Sequence, residues 1–595
     1  MLWDKNNYIG KLKTAIVEKS WLLPLLFFFF AFFSLLPAIL IADLPQTDVL
    51  TRYAPMADAV SRGDWAFAFH PRIPPLLPFC GGVFAKVFHC NGYTGVKLAS
   101  LLFFAMSFLA LIPLFRRIFD LRTTILAGFL AVFGSQMMRL VVAGLRESGK
   151  MLFFSIAAYS LIRLWQECRT KRTVVPFLLM GISCSGMIYV RDDSVLPAFL
   201  FLLAAVCIEI FRGRVFPWRT FVLSCIPAVI LMVPLLGLNY KLTGYPVPSN
   251  RFISVVKKIG IPERIFDRTE KSGEMLEKPE GLESFSANII HSGEGPASQP
   301  SQIDVQNSQR IKEVYSKYFK HEPEQPWDVF WSTVESVLYG FYFIYFLPAL
   351  LVAGYRIYRR LWRAEETILF LIPLLHFVLI FVQVLVADKI VFVSSRYLLA
   401  LSAFYCCWTA VFVLQIYDFS ARYLSAKLLN GCSVLAVIVF LCVMYLDGMS
   451  LEVRERTSQD RREKRAVLYH WIELIRNDWK GPDRESCVFF DANTYHSFRR
   501  PVVYSDDFEE LGYFTGGETN RYPYMGNGDK REIYERISDV LTIGIFADYF
   551  AVFVPDDWND IPKGYRILDE QRVCGDRCVL LKRLLSPGEK KGYVE

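Results

Sequence analysis

The sequence predicts a polytopic α-helical membrane protein, N-terminus inside and C-terminus outside, ending in a small external α/β domain. Three observations predict it. Hydrophobic residues make up 53% of the 595 positions, aromatics 15%, and phenylalanine alone occurs 50 times, more apolar than an ordinary soluble domain. Runs long enough to cross a bilayer, ~20 apolar residues each, recur along the chain. Lysines and arginines crowd every second loop.

The first run, residues 21–42, contains no charged side chain; it is too long for a signal-peptide core and no small-residue cleavage site follows it. Further runs stand at 93–115, 123–142, 149–167, 174–190, 193–211, 217–238, 329–355, 366–387, 393–416 and 428–446, about eleven spans at ~20 residues each. One buried core helix does not account for so many. Pro113, Pro176, Pro234 and Pro348 fall within or near spans, where neighbouring helices satisfy the freed backbone groups.

Orientation follows from cations near the span ends. Lys5, Lys11, Lys13 and Lys19 precede the first span, and Arg116/Arg117/Arg122, Arg163/Arg169/Lys171/Arg172, Arg212/Arg214/Arg219, Arg356/Arg359/Arg360/Arg363 and Arg422/Lys427 fill alternate loops. The opposite loops are poorer, with Arg146 and Lys150, then Arg191, then Lys389 and Arg396. This alternation suits an odd number of spans and places loops 43–92 and 239–328 and the C-terminal region outside. The net charge of +8 reflects the same rule. Basic residues dispersed through loops give no nucleic-acid signature.

Residues 1–240 and 329–447 thus form the membrane part, with a first external loop at 43–92. Residues 241–328 are polar, with Glu-, Ser- and Gly-rich stretches around 270–308 that predict a mobile external loop. Residues 448–595 predict the α/β domain: helical periodicity over 451–478, β-rich runs at 486–490, 549–554 and 577–582, and a helix near 529–541. Most of the 13 cysteines lie in spans and act as small apolar groups. Cys574 and Cys578 are spaced for a short disulfide in an oxidising compartment, and Cys80 with Cys90 is a weaker pair.

Chemistry-bearing residues gather on the predicted outer face in four groups. The first is the opening loop, with Asp48, Arg52, Tyr53, the Gly63-Asp64-Trp65 turn, His70, Arg72 and Pro74-Pro75-Leu76. Positions 48, 52 and 55 have helical spacing, which suits a short amphipathic interfacial helix. A carboxylate there serves either as a general base for an acceptor hydroxyl or as that helix's N-cap. The second group is Arg146, Glu147, Ser148 and Lys150, which a turn also uses to solvate helix ends. The third is Arg191, Asp192 and Asp193, wedged between two apolar runs, where unpaired charges cost a few kcal/mol; Arg191 is expected to pair with a nearby carboxylate. The fourth is Ser394, Ser395, Arg396 and Tyr397, either a clamp for a lipid phosphate or an anchor at headgroup level. His70 and His89 lack partners at metal-ligand spacing, and no Walker, dinucleotide or HExxH pattern occurs.

Asp48, Arg52-Tyr53-Ala54, Ala57, Gly63-Asp64-Trp65 and Pro74-Pro75-Leu76 together resemble the first external loop of GT-C glycosyltransferases. The branch most similar is the bacterial aminoarabinose-transferase-like and protein-mannosyltransferase-like one. The resemblance continues through Arg191-Asp192, the NYKLTGYPVP stretch from Asn239 and the SSRYLLAL stretch from Ser394, over roughly residues 20–420. It implies inverting transfer of a sugar from a polyprenyl-phosphate donor to a hydroxyl of a lipid, glycan or protein, on the external face of a bacterial inner membrane. By that resemblance Asp48 activates the acceptor, Glu147 assists it or touches the sugar, and Arg396 stabilises the departing phosphate. Arg52, Tyr53, His70, Arg72, Arg191, Asp192 and Tyr397 are the remaining expected substrate contacts. No cofactor is expected, since the lipid-linked donor is itself a substrate; a need for divalent metal is left open. Two departures bear on the sugar. Val49 stands where relatives often carry Glu, with Tyr53 five residues after the Asp rather than four, and Ile73 occupies the place of a Lys. A transporter or flippase is the alternative reading, but it places charges nearer the bilayer midplane and repeats broken helices.

Overall fold

The structure is a computed structural model, and it describes residues 21–41, 48–65, 68–69, 73–167, 174–213, 218–243, 341–386, 396–423, 425–457, 459–478, 487–488, 496–497, 502–505, 518–521, 549–555, 561, 565–573 and 576–584. The expected mobile loop 241–328, apart from its first three residues, the expected helix near 529–541 and Cys574 lie outside these. Contacts divide the chain into two units. One falls within Met1–Leu44, Met56–Arg268 and Gln325–Glu452, the other within Pro45–Pro55, Thr269–Glu324 and Val453–Glu595.

The first unit is helical. Its elements are α1 (Leu22–Ile41), α2 (Ala54–Arg62), α3 (Leu76–Phe88), α4 (Gly92–Ile118), α5 (Leu121–Val132), α6 (Ser135–Val142), α7 (Glu147–Glu167), α8 (Val174–Val190), α9 (Val195–Gly213), α10 (Trp218–Thr243), α11 (Phe343–Tyr358), α12 (Ala364–Val386), α13 (Arg396–Ser402), α14 (Cys406–Ser420) and α15 (Ala426–Thr457). Short polar residues start two of them. The Asn91 carboxamide accepts from the Thr94 N–H, and the Asp120 carboxylate accepts from the Thr123 N–H, each satisfying an orphan amide of a first turn. Asp58 on α2 accepts from the Gly92 N–H at 2.6 Å, which ties the first loop to the head of α4.

By length and composition, four segments among the described residues are able to cross a membrane: Leu22–Leu40, Gly92–Ile118, Leu398–Ser420 and Gly431–Gly448. The pair α5 and α6, bent by 48°, makes a fifth when counted as one span. Other expected spans fall on shorter apolar helices such as α8 and α11. The expected span at 149–167 falls on α7, which carries Lys150, Arg163 and Glu167.

α4 is the central helix, packing against α1, α3, α5 and α7, while α7 packs on α8, and α8 on α9 and α10. Phe104, Phe108, Leu111, Leu114 and Phe115 on α4 are fully buried in this core. The α3–α4 approach depends on glycine. A Cβ added at Gly95 would overlap the Gly81 carbonyl oxygen, so the two backbones pass closer than any side chain permits. The kink between α5 and α6 is held from α11: the Tyr345 hydroxyl donates to the Leu130 carbonyl at 2.6 Å, and the Ser135 and Tyr342 hydroxyls are 2.9 Å apart. Arg139 then donates to the Asp447 carbonyl and carboxylate of α15.

The second unit contains α16 (Gln459–Asp478) and strands β1 (Cys487–Val488), β2 (His496–Ser497), β3 (Val502–Ser505), β4 (Glu518–Arg521), β5 (Tyr549–Pro555), β6 (Tyr565–Val573) and β7 (Asp576–Arg583). Five strands form one mixed sheet in the order β4-β3-β5-β7-β6, with β3 parallel to β4 and β5 and the pairs β5–β7 and β6–β7 antiparallel. Val467, Leu468, Trp471, Ile472 and Ile475 of α16 bury against Tyr549, Cys578 and Leu580. Asp478 at the end of α16 accepts from the Tyr549 hydroxyl and from Lys582. Partial burial alone would raise its pKa, but these two donors and the Lys582 charge hold it below the ordinary carboxylate value.

The Gly95 contact gives a direct test. Gly95→Leu is expected to lower the stability of the purified protein by about 1–3 kcal/mol, the usual cost of overpacking, measured as thermal unfolding in detergent.

Candidate active site

The opening loop forms a five-residue π-helical turn, Val49–Tyr53, that runs directly into α2. Asp48 precedes it with helical φ −59° and ψ −31° and makes no capping hydrogen bond. Of the two uses the sequence left for this carboxylate, N-capping is therefore not the one adopted. Instead Arg52 Nη1 donates to Asp48 Oδ1 at 2.7 Å, one turn away, the geometry that i,i+4 spacing allows. The Asp48 side chain remains 14% exposed, whereas Tyr53 is buried. Both Asp48 and Arg52 belong to the second unit. Trp65 is exposed and stacks on Phe69. Ile73, the position where the similar branch carries Lys, is buried. His70 and Arg72 lie outside the described residues.

In the first unit a second polar centre forms where α7 begins and α8 passes into α9. Glu147 opens α7, favourably placed for a carboxylate near a helix N-terminus, yet its side chain is only 1% exposed. Arg191 follows α8 in extended conformation and is equally sealed, at 2%. Arg191 Nη1 donates to Glu147 Oε1 at 2.5 Å and Nε donates to Asp193 Oδ1 at 3.0 Å. Lys150, one turn into α7, reaches Asp193 Oδ2 at 3.5 Å. Burial by itself would raise the pKa of Asp193, in the turn between α8 and α9; the Arg191 and Lys150 charges act the other way and hold it well below the carboxylate range. Alternating charges in this way is what makes buried ions tolerable, because each one's desolvation is offset by a close partner.

The start of α7 is also fixed from α4. The Ser100 hydroxyl donates to the Leu145 carbonyl at 2.9 Å and lies 2.9 Å from the Ser148 hydroxyl. The structure therefore brings Glu147 together with Arg191, and Asp48 with Arg52. Arg396 opens α13, which packs on α7. Asp192 lies in the short 3-10 turn after Arg191, and its side chain and that of Tyr397 are outside the described set. Sequence reasoning placed Asp193 in the third group without a separate role, and gave none to two buried groups, Lys97, whose ammonium stands 4.9 Å over the Tyr93 ring, and His376 on α12. Of these three, Asp193 is only partly buried. For the last two the available signal was a lone ionisable residue inside an apolar run. Among the described residues no cluster of three or more His, Cys, Asp or Glu side chains could hold a metal ion.

Residues 71–237, from just before α3 to near the end of α10, match the family of dolichyl-phosphate-mannose-protein mannosyltransferases. The crystal structure of ArnT from Cupriavidus metallidurans bound to undecaprenyl phosphate shares the fold, with a TM-score of 0.50 at 11% identity over 95% of this chain and 99% of that one. The chain thus shares the fold of this ArnT, and its 71–237 segment is similar to the mannosyltransferase family. Its apolar helices support a multi-pass membrane protein. The apo oligosaccharyltransferase of Archaeoglobus fulgidus aligns with a TM-score of 0.44 at 12% identity, over 91% of this chain and 70% of that one. No curated protein matches the sequence significantly. The matched family segment includes Glu147 and Arg191; Asp48 and Arg396 fall outside it.

The two ion pairs are expected to behave differently. Arg52→Met, at a partly exposed pair, should cost under about 1 kcal/mol. Arg191→Met leaves Glu147 and Asp193 buried without their guanidinium and should cost about 3–5 kcal/mol. Thermal unfolding of both variants in the same detergent separates them.

Proposed function

We propose that this chain is a GT-C glycosyltransferase that moves a sugar from a polyprenyl-phosphate donor to a hydroxyl acceptor, on the external face of a bacterial inner membrane and with inversion. The acceptor class is a lipid, glycan or protein hydroxyl. The observation that carries the reading is the Asp48 carboxylate, which is partly exposed, not used as a helix cap, and oriented by Arg52 at 2.7 Å. The family match and the shared fold with an undecaprenyl-phosphate-bound ArnT support the donor class.

In this mechanism Asp48 takes the proton of the acceptor hydroxyl as its oxygen attacks the anomeric carbon. The carbon–oxygen bond to phosphate breaks on the opposite face, and the lipid phosphate leaves with the electron pair. Single displacement from the opposite face inverts the anomeric centre. Arg396 meets the growing negative charge on the phosphate, an electrostatic role that needs a fixed cation more than a proton. Arg191, held by Glu147 and Asp193, presents a positioned backbone for the Asp192 turn. Tyr53, His70, Arg72, Asp192 and Tyr397 are the further proposed contacts to donor and acceptor.

Asp48→Asn removes the base and keeps the size of the side chain. Transfer is expected to fall by about 10²–10⁴-fold with unchanged thermal unfolding, read by mass spectrometry of envelope glycolipids and glycoproteins from a deletion strain complemented with the variant. Wild-type glycosylation in that strain removes Asp48 from the base role.

A further inference from the structure

His376 lies in the middle of α12, in the run Ile372-Pro373-Leu374-Leu375-His376-Phe377. Its side chain is 1% exposed, and neither ring nitrogen has a hydrogen-bond partner among the described residues. Neutral imidazole carries one donor and one acceptor, and leaving both unmet in an apolar bundle is costly. The ring is not simply packed away. It meets the Phe154 ring edge-on at 5.1 Å, and the same Phe154 ring lies 5.9 Å from the Lys150 ammonium. Lys150, Asp193 and Arg191 all act on the imidazole electrostatically. A second orphan belongs to the same charge cluster: Glu147 Oε2 is buried without a partner among the described residues, while its Oε1 binds Arg191.

We propose that His376 is a positioning residue that holds an ordered water against the Asp193–Lys150 end of the buried charge cluster. Water supplies a donor to one ring nitrogen and an acceptor to the other, and buried waters of this kind make about three hydrogen bonds to otherwise unmet polar groups. Asp193 oxygens and the Lys150 ammonium offer the remaining partners. The water thereby couples α12 to the turn between α8 and α9 and fixes the angle at which Arg191 leaves α8. Its effect on sugar transfer rests on the glycosyltransferase reading above; its existence does not.

The test uses the full chain in lipid nanodiscs, as wild type, His376→Phe and His376→Gln. Radiolytic hydroxyl labelling, with water as its own probe, is expected to oxidise the buried Phe154 and Met151 in wild type and His376→Gln, and to lose that labelling in His376→Phe. Phe fills the ring's place and holds no water, whereas Gln keeps a donor and an acceptor. In transfer assays with membrane-extracted donor, kcat is expected to drop by about a hundredfold in His376→Phe, with KM for donor unchanged, and to recover largely in His376→Gln. A histidine that only fills space predicts equal kcat in all three and no labelling at Phe154 in any. Absence of Phe154 labelling in the wild type, or its persistence in His376→Phe, overturns the proposal without reference to activity. If wild type transfers no sugar, the glycosyltransferase reading fails while the labelling still decides the water.

Discussion

The buried chain Glu147–Arg191–Asp193–Lys150 is the constraint on which the rest of the helical unit depends. Two carboxylates and two cations sit where three helices end or begin, and three of the four, Glu147, Lys150 and Arg191, are almost completely sealed. None would be tolerated alone at that depth. Their pairing therefore dictates geometry: α7 must start at Glu147, α8 must stop before Arg191, and α9 must begin just after Asp193. The serine contacts from α4 to Leu145 and Ser148 fix the same start from the other side. An apolar bundle packs by volume and leaves many near-equivalent arrangements; an ion chain with a fixed alternation selects one.

Around it, the helices meet with little room for adjustment. The Gly95–Gly81 approach fixes α3 against α4, and Asp58 ties α2 to the head of the same helix. At the bend between α5 and α6 the Tyr345 hydroxyl satisfies the Leu130 carbonyl, and the Tyr342 hydroxyl meets that of Ser135.

How much of this the sequence revealed depended on whether the signal was local. Asp48 and Arg52 are four residues apart, so their pairing was readable from helical spacing. That Arg191 needs a carboxylate was readable from its place between two apolar runs; that Glu147, 44 residues earlier, is one of its partners was not. His376 left no pattern beyond a lone histidine in an apolar run, which packing alone often explains. The strands at 549–554 and 577–582 were plain in their apolar runs. By contrast β6, Tyr565–Val573, carries Arg566, Asp569, Glu570 and Arg572 and is half-exposed as an edge strand, so no apolar alternation marked it. Counting by hydrophobicity reaches about eleven spans at ~20 residues each, and length with composition marks four or five of them among the described residues.

The most direct measurement is a double-mutant cycle between Glu147 and Arg191, each replaced by Met, read as unfolding free energy of the full chain in nanodiscs. Strong coupling is expected, well above about 0.5 kcal/mol, with the double variant more stable than either single one. Costs that add to within about 0.3–0.5 kcal/mol, as for independent sites, would contradict it.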